Sequence, residues 1–388
     1  MTSLYKVTLG LATCLMALAA HAEGSAVESS NIAISAAVPQ SQVDKKIGLE
    51  LTTTLLGSSL EDQIENSKWA GGELDIVGHR KFTSYLSTRI DLTVLMSTGT
   101  YTNQYTDAGK APNAIFLNEA VLQLDPLKFF TFEAGVIQTD FLSLPSNFQP
   151  LGFPSLRETI HIQGDVLKLS TFAMQSIPTS DSKAVQPTEN GLITTLNTFG
   201  LSLGTPTEGK DDPGLSVGVT RFSFNNLNSS AAQDSQYLGN TMVSPGPQPR
   251  FAYDFAGTEF GAQGKMKLTK TWSGSLNGAY LKNDLAPDGS NVGYTYSGGL
   301  TVAIAGLEYG IVLGHFYNET DTLPASYASL SRGYNDRFGN KAMLTIEDKK
   351  QKIVGKIQYV ESTPIVDMPY ITDRSTLLFS LESAYEIL

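Results

Sequence analysis

Cysteine is nearly absent. The 388 residues hold one, Cys14, and it lies in a segment with the marks of a secretory signal. Lys6 gives a positive start. Val7 to Ala19 is an apolar stretch too short to cross a bilayer as a helix, and Ala20-His21-Ala22 is an A-x-A cleavage site. Residues 1–22 are therefore expected to be removed, leaving a chain that starts at Glu23. A lipoprotein site at Leu11-Ala12-Thr13-Cys14 is the competing reading, but Leu15 to Ala20 stays apolar where a lipoprotein turns polar. With Cys14 gone, a disulfide framework and a thiolate metal site are excluded.

Basic residues are also short, at 27 Lys and Arg against 38 Asp and Glu, a formal charge of −11. Nucleic acid needs the opposite balance, so it is excluded as a partner. Histidine is scarce: beyond the signal only His79, His161 and His315 occur, with no metal-ligand spacing and no serine motif beside them. No catalytic residue, metal site or cofactor is expected. Glu61-Asp62 and Asp211-Asp212 could hold a hard cation but read more simply as solvated loops. No run of 18 apolar residues exists and the mean hydropathy is −0.08, which excludes a helical membrane protein.

What the chain does have is alternation. Residues 23–44 are rich in Ser, Ala and Gln without a period and read as a mobile periplasmic leader. From residue 45 to 388, short apolar/polar alternating segments are joined in turn by long polar loops and tight turns. In 46–56, Ile47, Leu49, Leu51 and Leu55 oppose Glu50, Thr52 and Thr54; in 82–96, Leu86, Ile90, Leu92, Val94 and Met96 oppose Ser87, Arg89, Asp91 and Thr93. Tight turns are expected at 125–127, 269–271, 305–306 and 348–350, and less securely near 79–81, 163–165 and 205–213. Long connections are expected at 58–68, 98–112, 139–157, 178–192, 225–250, 283–290, 319–337 and 362–372. Eight long and seven short connections predict 16 antiparallel strands, with 14 or 18 if a hairpin is miscounted. Long loops on one side and short turns on the other define an up-and-down transmembrane β-barrel of the bacterial outer membrane. Only alternate residues meet lipid in such a barrel, which explains the near-zero hydropathy.

Several segments carry a family resemblance. They are Glu119-Ala120-Val121-Leu122-Gln123-Leu124, Phe132-Glu133-Ala134-Gly135-Val136-Ile137-Gln138 followed by Asp140-Phe141 and Pro145, and Gly257-Thr258-Glu259-Phe260-Gly261-Ala262. The final strand adds Leu377, Phe379, Leu381, Tyr385 and Ile387 in one phase. Together they resemble the bacterial outer-membrane porin superfamily, and more loosely its phosphate-selective porin-like members. The chain departs from that pattern in ending on Leu388 rather than an aromatic. The resemblance implies a water-filled channel for passive diffusion of small hydrophilic solutes or ions. It also implies lipid and lipopolysaccharide as surroundings, and the barrel-assembly machinery as a partner of the last strand. The assembly is left as monomer or homotrimer. A substrate-specific transporter of an anion or a hydrophobic compound is the alternative, ahead of a barrel-borne enzyme or an adhesin.

A barrel of this size leaves a wet lumen, so polar-phase charges should line it. Early strands offer Glu50, Glu73, Asp75, Arg89, Asp91, Glu119 and Glu133. Later ones offer Lys168, Glu259, Lys265, Lys267, Glu308, Lys341 and Lys356. Acids and lysines are expected on facing walls, giving a transverse field, unless they pair locally to keep the wall wet. Glu119 and Glu133 are expected opposite one another across the turn at Pro126. The stretch 139–157 is too apolar for an exposed loop. By connection order it is the third long loop, which in porins folds inward, so Phe141, Pro145, Phe148 and Phe153 are constriction candidates; packing on the rim or at a trimer contact is the alternative.

Overall fold

The computed structural model describes residues 47–61, 65–103, 113–179, 193–206, 213–243, 249–329, 334–369 and 371–387. The signal and leader readings, Lys46, Asp62 and Asp211-Asp212 lie outside them. Sixteen strands follow one another: β1 (Ile47–Glu61), β2 (Glu65–Lys81), β3 (Leu86–Asn103), β4 (Ala114–Leu127), β5 (Phe130–Gln138), β6 (Gly152–Gln163), β7 (Lys168–Ser176) and β8 (Thr195–Gly204) form the first half. The second half is β9 (Gly214–Asn225), β10 (Ala256–Lys267), β11 (Trp272–Asn283), β12 (Val292–Ile304), β13 (Leu307–Asn318), β14 (Arg337–Asp348), β15 (Ile353–Pro364) and β16 (Arg374–Glu386). Each strand pairs antiparallel with the next, and β16 returns to β1 with Leu55 opposite Leu381, so the sheet closes on itself. The predicted class and strand count are both borne out.

Closure follows from where the apolar phase points. On β16, Leu377, Phe379, Leu381 and Tyr385 are exposed outward, while Thr376, Ser380 and Glu382 alternate inward. On β11 and β12, Leu276, Tyr280, Tyr296 and Leu300 do the same. A sheet apolar on its outer face and polar within has no edge to leave unsatisfied in lipid. Aromatics gather at the two ends of this belt. Tyr294 stacks between Tyr296 and Tyr317, at 6.5 and 5.2 Å, on the long-loop side. Trp272, Tyr309 and Tyr385 sit near the tight turns. That is the paired girdle of a barrel spanning a bilayer.

Several expected boundaries move. The connection at 58–68 is not long: β1 runs to Glu61 and β2 starts at Glu65, because Ser58, Leu60 and Ser67 keep the inward phase. His79 is a strand residue facing inward over Gly48, not part of a turn. The turn at Pro126 shifts to residues 128–129, with a register break between Leu124 and Leu127. The segment 152–157 is strand β6, so the third loop ends at residue 151.

Glu158 puts a charge in the middle of the outer face. Glu158 is exposed on β6 between the outward Leu156 and Ile160, with Phe132 and Ala173 as its cross-strand neighbours. A carboxylate there meets lipid, at a cost below the roughly 2–4 kcal/mol of a midplane Arg or Lys. Glu158→Leu should therefore raise the urea midpoint of the barrel in lipid vesicles. A lowered midpoint would mean another protein covers this face.

Candidate functional site: the lumen and its inward loop

Loop 139–151 leaves β5 and turns into the barrel. Thr139 closes its neck: its N–H donates to Leu151 O (3.0 Å), its hydroxyl donates to Gln149 O (2.6 Å) and accepts from Leu151 N–H (3.0 Å). The tip reaches the wall of β9 and β10. Only glycine permits that approach: a Cβ on Gly261 would stand 2.9 Å from Pro145 O, and one on Gly218 would stand 2.6 Å from Leu144. Glu259 fixes the tip. Its carboxylate accepts from Ser146 Oγ (2.6 Å), Asn147 N–H (2.5 Å) and Asn147 Nδ2 (3.1 Å).

Aromatics fill the space behind the loop. Phe148 meets Phe141 at 5.1 Å and Phe222 at 5.2 Å, both edge to face, and Phe141 stacks on Phe172 at 5.8 Å. Leu196, Phe224, Leu281 and Phe153 complete one buried cluster on the β5–β11 side. Phe153 belongs to it as an inward strand residue and not as a loop residue, a correction forced by the early start of β6. Residues 319–329 join from the long-loop side. Gln149 N–H donates to Tyr327 O (2.9 Å), Ser329 N–H donates to Asn147 O (3.0 Å), and Tyr327 stacks on Phe224.

The rest of the lumen is polar. Glu73 and Asp75 on β2, Asp91 on β3 and Glu382 on β16 share one stretch of wall. Thr93 donates to Asp75 (2.5 Å), and Asn118, displaced by the bulge at Asp91/Leu92, donates to Thr93 (2.7 Å) and Asp91 (3.1 Å). Arg89 holds Glu119 in a two-point pair at 2.6 and 2.8 Å, and Arg157 pairs with Glu133 at 2.6 Å. Glu119 and Glu133 do not face each other. Glu119 lies opposite Asp91 and Glu133 opposite Gln123, because the hairpin turns two residues later than the proline suggests. Each carboxylate is neutralised by its own arginine instead.

The facing-wall arrangement is corrected in part. Lys265 and Lys267 on β10 stand across the ring from the acidic wall. Lys356 and Lys341 do not: closure sets β15 next to β16, and Lys356 pairs with Glu382 at 3.2 Å. Glu308 pairs with Lys349 (2.8 Å) near the tight turns, while Glu50 and Lys168 face inward at the same end. Glu259 faces inward too, but it is 4 % exposed beneath the loop and anchors it rather than meeting water. Arg157 and Glu382 escaped the sequence reading. Arg157 falls within the apolar stretch 139–157, which hides its alternation with Ser155 and Thr159, and in the last strand the apolar phase outweighs the polar one that holds Glu382.

At the rim, Asp336 is buried. One carboxylate oxygen accepts from Val366 N–H (3.0 Å), and the other has no partner among the described residues. Burial pushes its pKa up to about 7, against that bond and the Arg337 charge, which both lower it. A carboxyl raised in the folded chain holds its proton better there than when unfolded. Rim stability should therefore fall as pH rises from the ordinary carboxylate range to about 7. The protection factor of the Val366 amide, which removes the intrinsic pH dependence of exchange, should fall over that window, and Asp336→Asn should abolish the fall. An unchanged trend in the variant would assign it to another group.

A closed sheet with an apolar jacket, charged interior and inward loop defines a transmembrane β-barrel, and its fold is that of the bacterial outer-membrane porins. Pseudomonas putida OprB, in its low-pH structure, matches with a TM-score of 0.52 at 7 % identity, over 89 % of this chain and 94 % of that one. OmpT of Vibrio cholerae lacking loop L8 gives 0.49 at 10 % identity over 88 % and 100 %. OccK7 (OpdD) of Pseudomonas aeruginosa gives 0.48 at 10 % over 89 % and 100 %. No protein-family model matches the chain, and no curated protein matches its sequence. At such identities the likeness is one of fold.

Proposed function

We propose that the chain is an outer-membrane channel for passive diffusion of small hydrophilic solutes and ions. The observation that carries this reading is the closed 16-strand ring with charged residues along its inward phase. Loop 139–151 and the phenylalanine cluster occupy one side, so the open path runs along β1–β4 and β12–β16. There the solute passes Glu73, Asp75, Asp91 and Glu382, and the Arg89–Glu119 pair beside them. Carboxylates in a narrow, partly desolvated passage raise the local cation concentration. The loop is the constriction. No catalytic group is assigned.

Single-channel recording of the refolded protein tests this. Discrete conductance steps with cation preference at low salt are expected. Asp91→Asn with Glu382→Gln should move the reversal potential toward zero, and the difference should shrink near 1 M salt, where the screening length is about 3 Å. A barrel that inserts without conducting would overturn the channel reading. The alternative, a substrate-specific transporter, predicts conductance that a solute blocks saturably, because a site of acids beside Arg89 would retain a dipolar molecule.

A further inference from the structure

The open path along β1–β4 and β12–β16 has an apolar stretch that ion diffusion does not need. Three inward rows cross β15, β16, β1 and β2 in direct register. The row nearest the long loops runs Gln358, Leu378, Ser58 and Trp69. The next runs Lys356, Ser380, Leu56 and Gly71, and the third sets Thr54 between Glu382 and Glu73. The small Ser58 between Leu378 and Trp69 leaves a trough that leads over Leu56 to those two carboxyl groups. None of the three apolar residues belongs to the phenylalanine cluster behind the loop. Apolar surface on a wetted wall is unfavourable, and a solute with an apolar body relieves it. Both ends of the trough carry unmet polar capacity. Gln358 is 7 % exposed, and its Nε2 has no hydrogen-bond partner. A buried amide left without an acceptor is costly. At the other end, Glu73, Asp75 and Glu382 share one ammonium. Lys356 meets Glu382 at 3.2 Å, and no cation pairs with Glu73 or Asp75 among the described residues.

We propose that this trough binds an organic ammonium solute with an apolar body and an acceptor oxygen at its far end. The ammonium sits over Thr54, between Glu73 and Glu382, where charge-assisted bonds form. The body lies over Leu56, between Leu378 and Trp69. The far oxygen accepts from Gln358 Nε2. Leu378 and Glu382 are four residues apart on β16, about 13 Å along the strand, and the reach of the polar side chains shortens the gap to a chain of about six carbons. The site rests on the channel reading in one respect, that a solute must be able to enter the lumen. It does not depend on the ion preference.

Trp69 can report on the site directly. The chain has two tryptophans, and Trp272→Phe leaves Trp69 as the only one. Its emission is titrated in the full chain in detergent with 6-aminohexanamide, hexylammonium, hexanamide and methylammonium. The first should saturate at about tenfold lower concentration than hexylammonium, which lacks the acceptor, or hexanamide, which lacks the charge. Methylammonium should not saturate in that range. Gln358→Leu should bring 6-aminohexanamide and hexylammonium to equal half-saturation. Leu378→Ser should weaken both by about tenfold. Comparing two probes within one variant keeps the result independent of how much of that variant refolds. Equal half-saturation by 6-aminohexanamide and methylammonium would overturn the apolar contact. Equal half-saturation by 6-aminohexanamide and hexanamide would overturn the carboxyl contact. An unchanged ratio in Gln358→Leu would overturn the amide contact. Single-channel current separates this site from the channel reading. Block of the potassium current over the concentrations that saturate Trp69 supports both. A barrel that never conducts yet shows the full Trp69 response overturns the channel and leaves the site. A conducting barrel whose current and Trp69 emission both ignore 6-aminohexanamide overturns the site and leaves the channel.

Discussion

Replacing Glu259 with alanine is expected to raise the single-channel conductance and its noise while the barrel stays assembled. Three donors from Ser146 and Asn147 converge on that one carboxylate, and Gln263 of β10 adds a single bond to the tip by donating to Ser143 O. Hydrogen bonds to a charged group contribute on the order of 1.5–3 kcal/mol each. Losing the acceptor also removes the bonds that Asn147 N–H and Nδ2 make to Glu259. The neck at Thr139 and the packing of Phe141 and Phe148 keep the base of the loop in place, so the tip swings rather than the whole segment. The β10 ladder to β9 and β11 is backbone and does not depend on the side chain. Glu259→Gln keeps one acceptor oxygen and should give an intermediate conductance. If Glu259→Ala conducts and fluctuates like the wild type, the loop tip does not set the bore.

A second large effect separates the two faces. Leu276 is outward on β11 and 66 % exposed; Asn277, one residue on, faces inward between Gln263 and Ser297. Leu276→Arg puts a guanidinium into hydrocarbon, at a cost of roughly 2–4 kcal/mol near the midplane. Asn277→Arg puts the same group in water. Urea unfolding in vesicles should show the loss for the first variant and little change for the second. Equal losses would contradict the assignment of inward and outward phases.

The fold was legible because a barrel writes itself in local terms. A period of two, a turn and a loop suffice to count strands, and each neighbour in sequence is a neighbour in space. The errors came where local terms fail. The register of β4 against β5 depends on the irregularity between Leu124 and Leu127 and on a late turn, neither of which the proline at 126 announces, so Glu133 lies opposite Gln123 rather than Glu119, and each of the two acids has an arginine of its own. Closure itself is a non-local fact: Lys356 reads as distant from the first strands in sequence, yet it sits one strand from Glu382 and two from the acids of β1. The inward loop was suggested by its apolar content. That its anchor is a glutamate over a hundred residues later could not be read, because a lone carboxylate in a polar phase looks the same whether it meets water or a loop.

The rim has a consequence for how the outward-facing parts of the chain can vary. Asn240 donates to Thr320 O and Leu323 O and accepts from Ala325 N–H, and Asn335 donates to the same two carbonyls from the other side. Both amides clasp main-chain atoms, which every residue type provides. Thr320 and Leu323 can therefore be exchanged for other residues without breaking the clasp, provided the new side chains fit, whereas neither asparagine has a substitute that both donates twice and accepts in that space. The loops can drift in sequence under attack from outside the cell while two fixed amides preserve their shape.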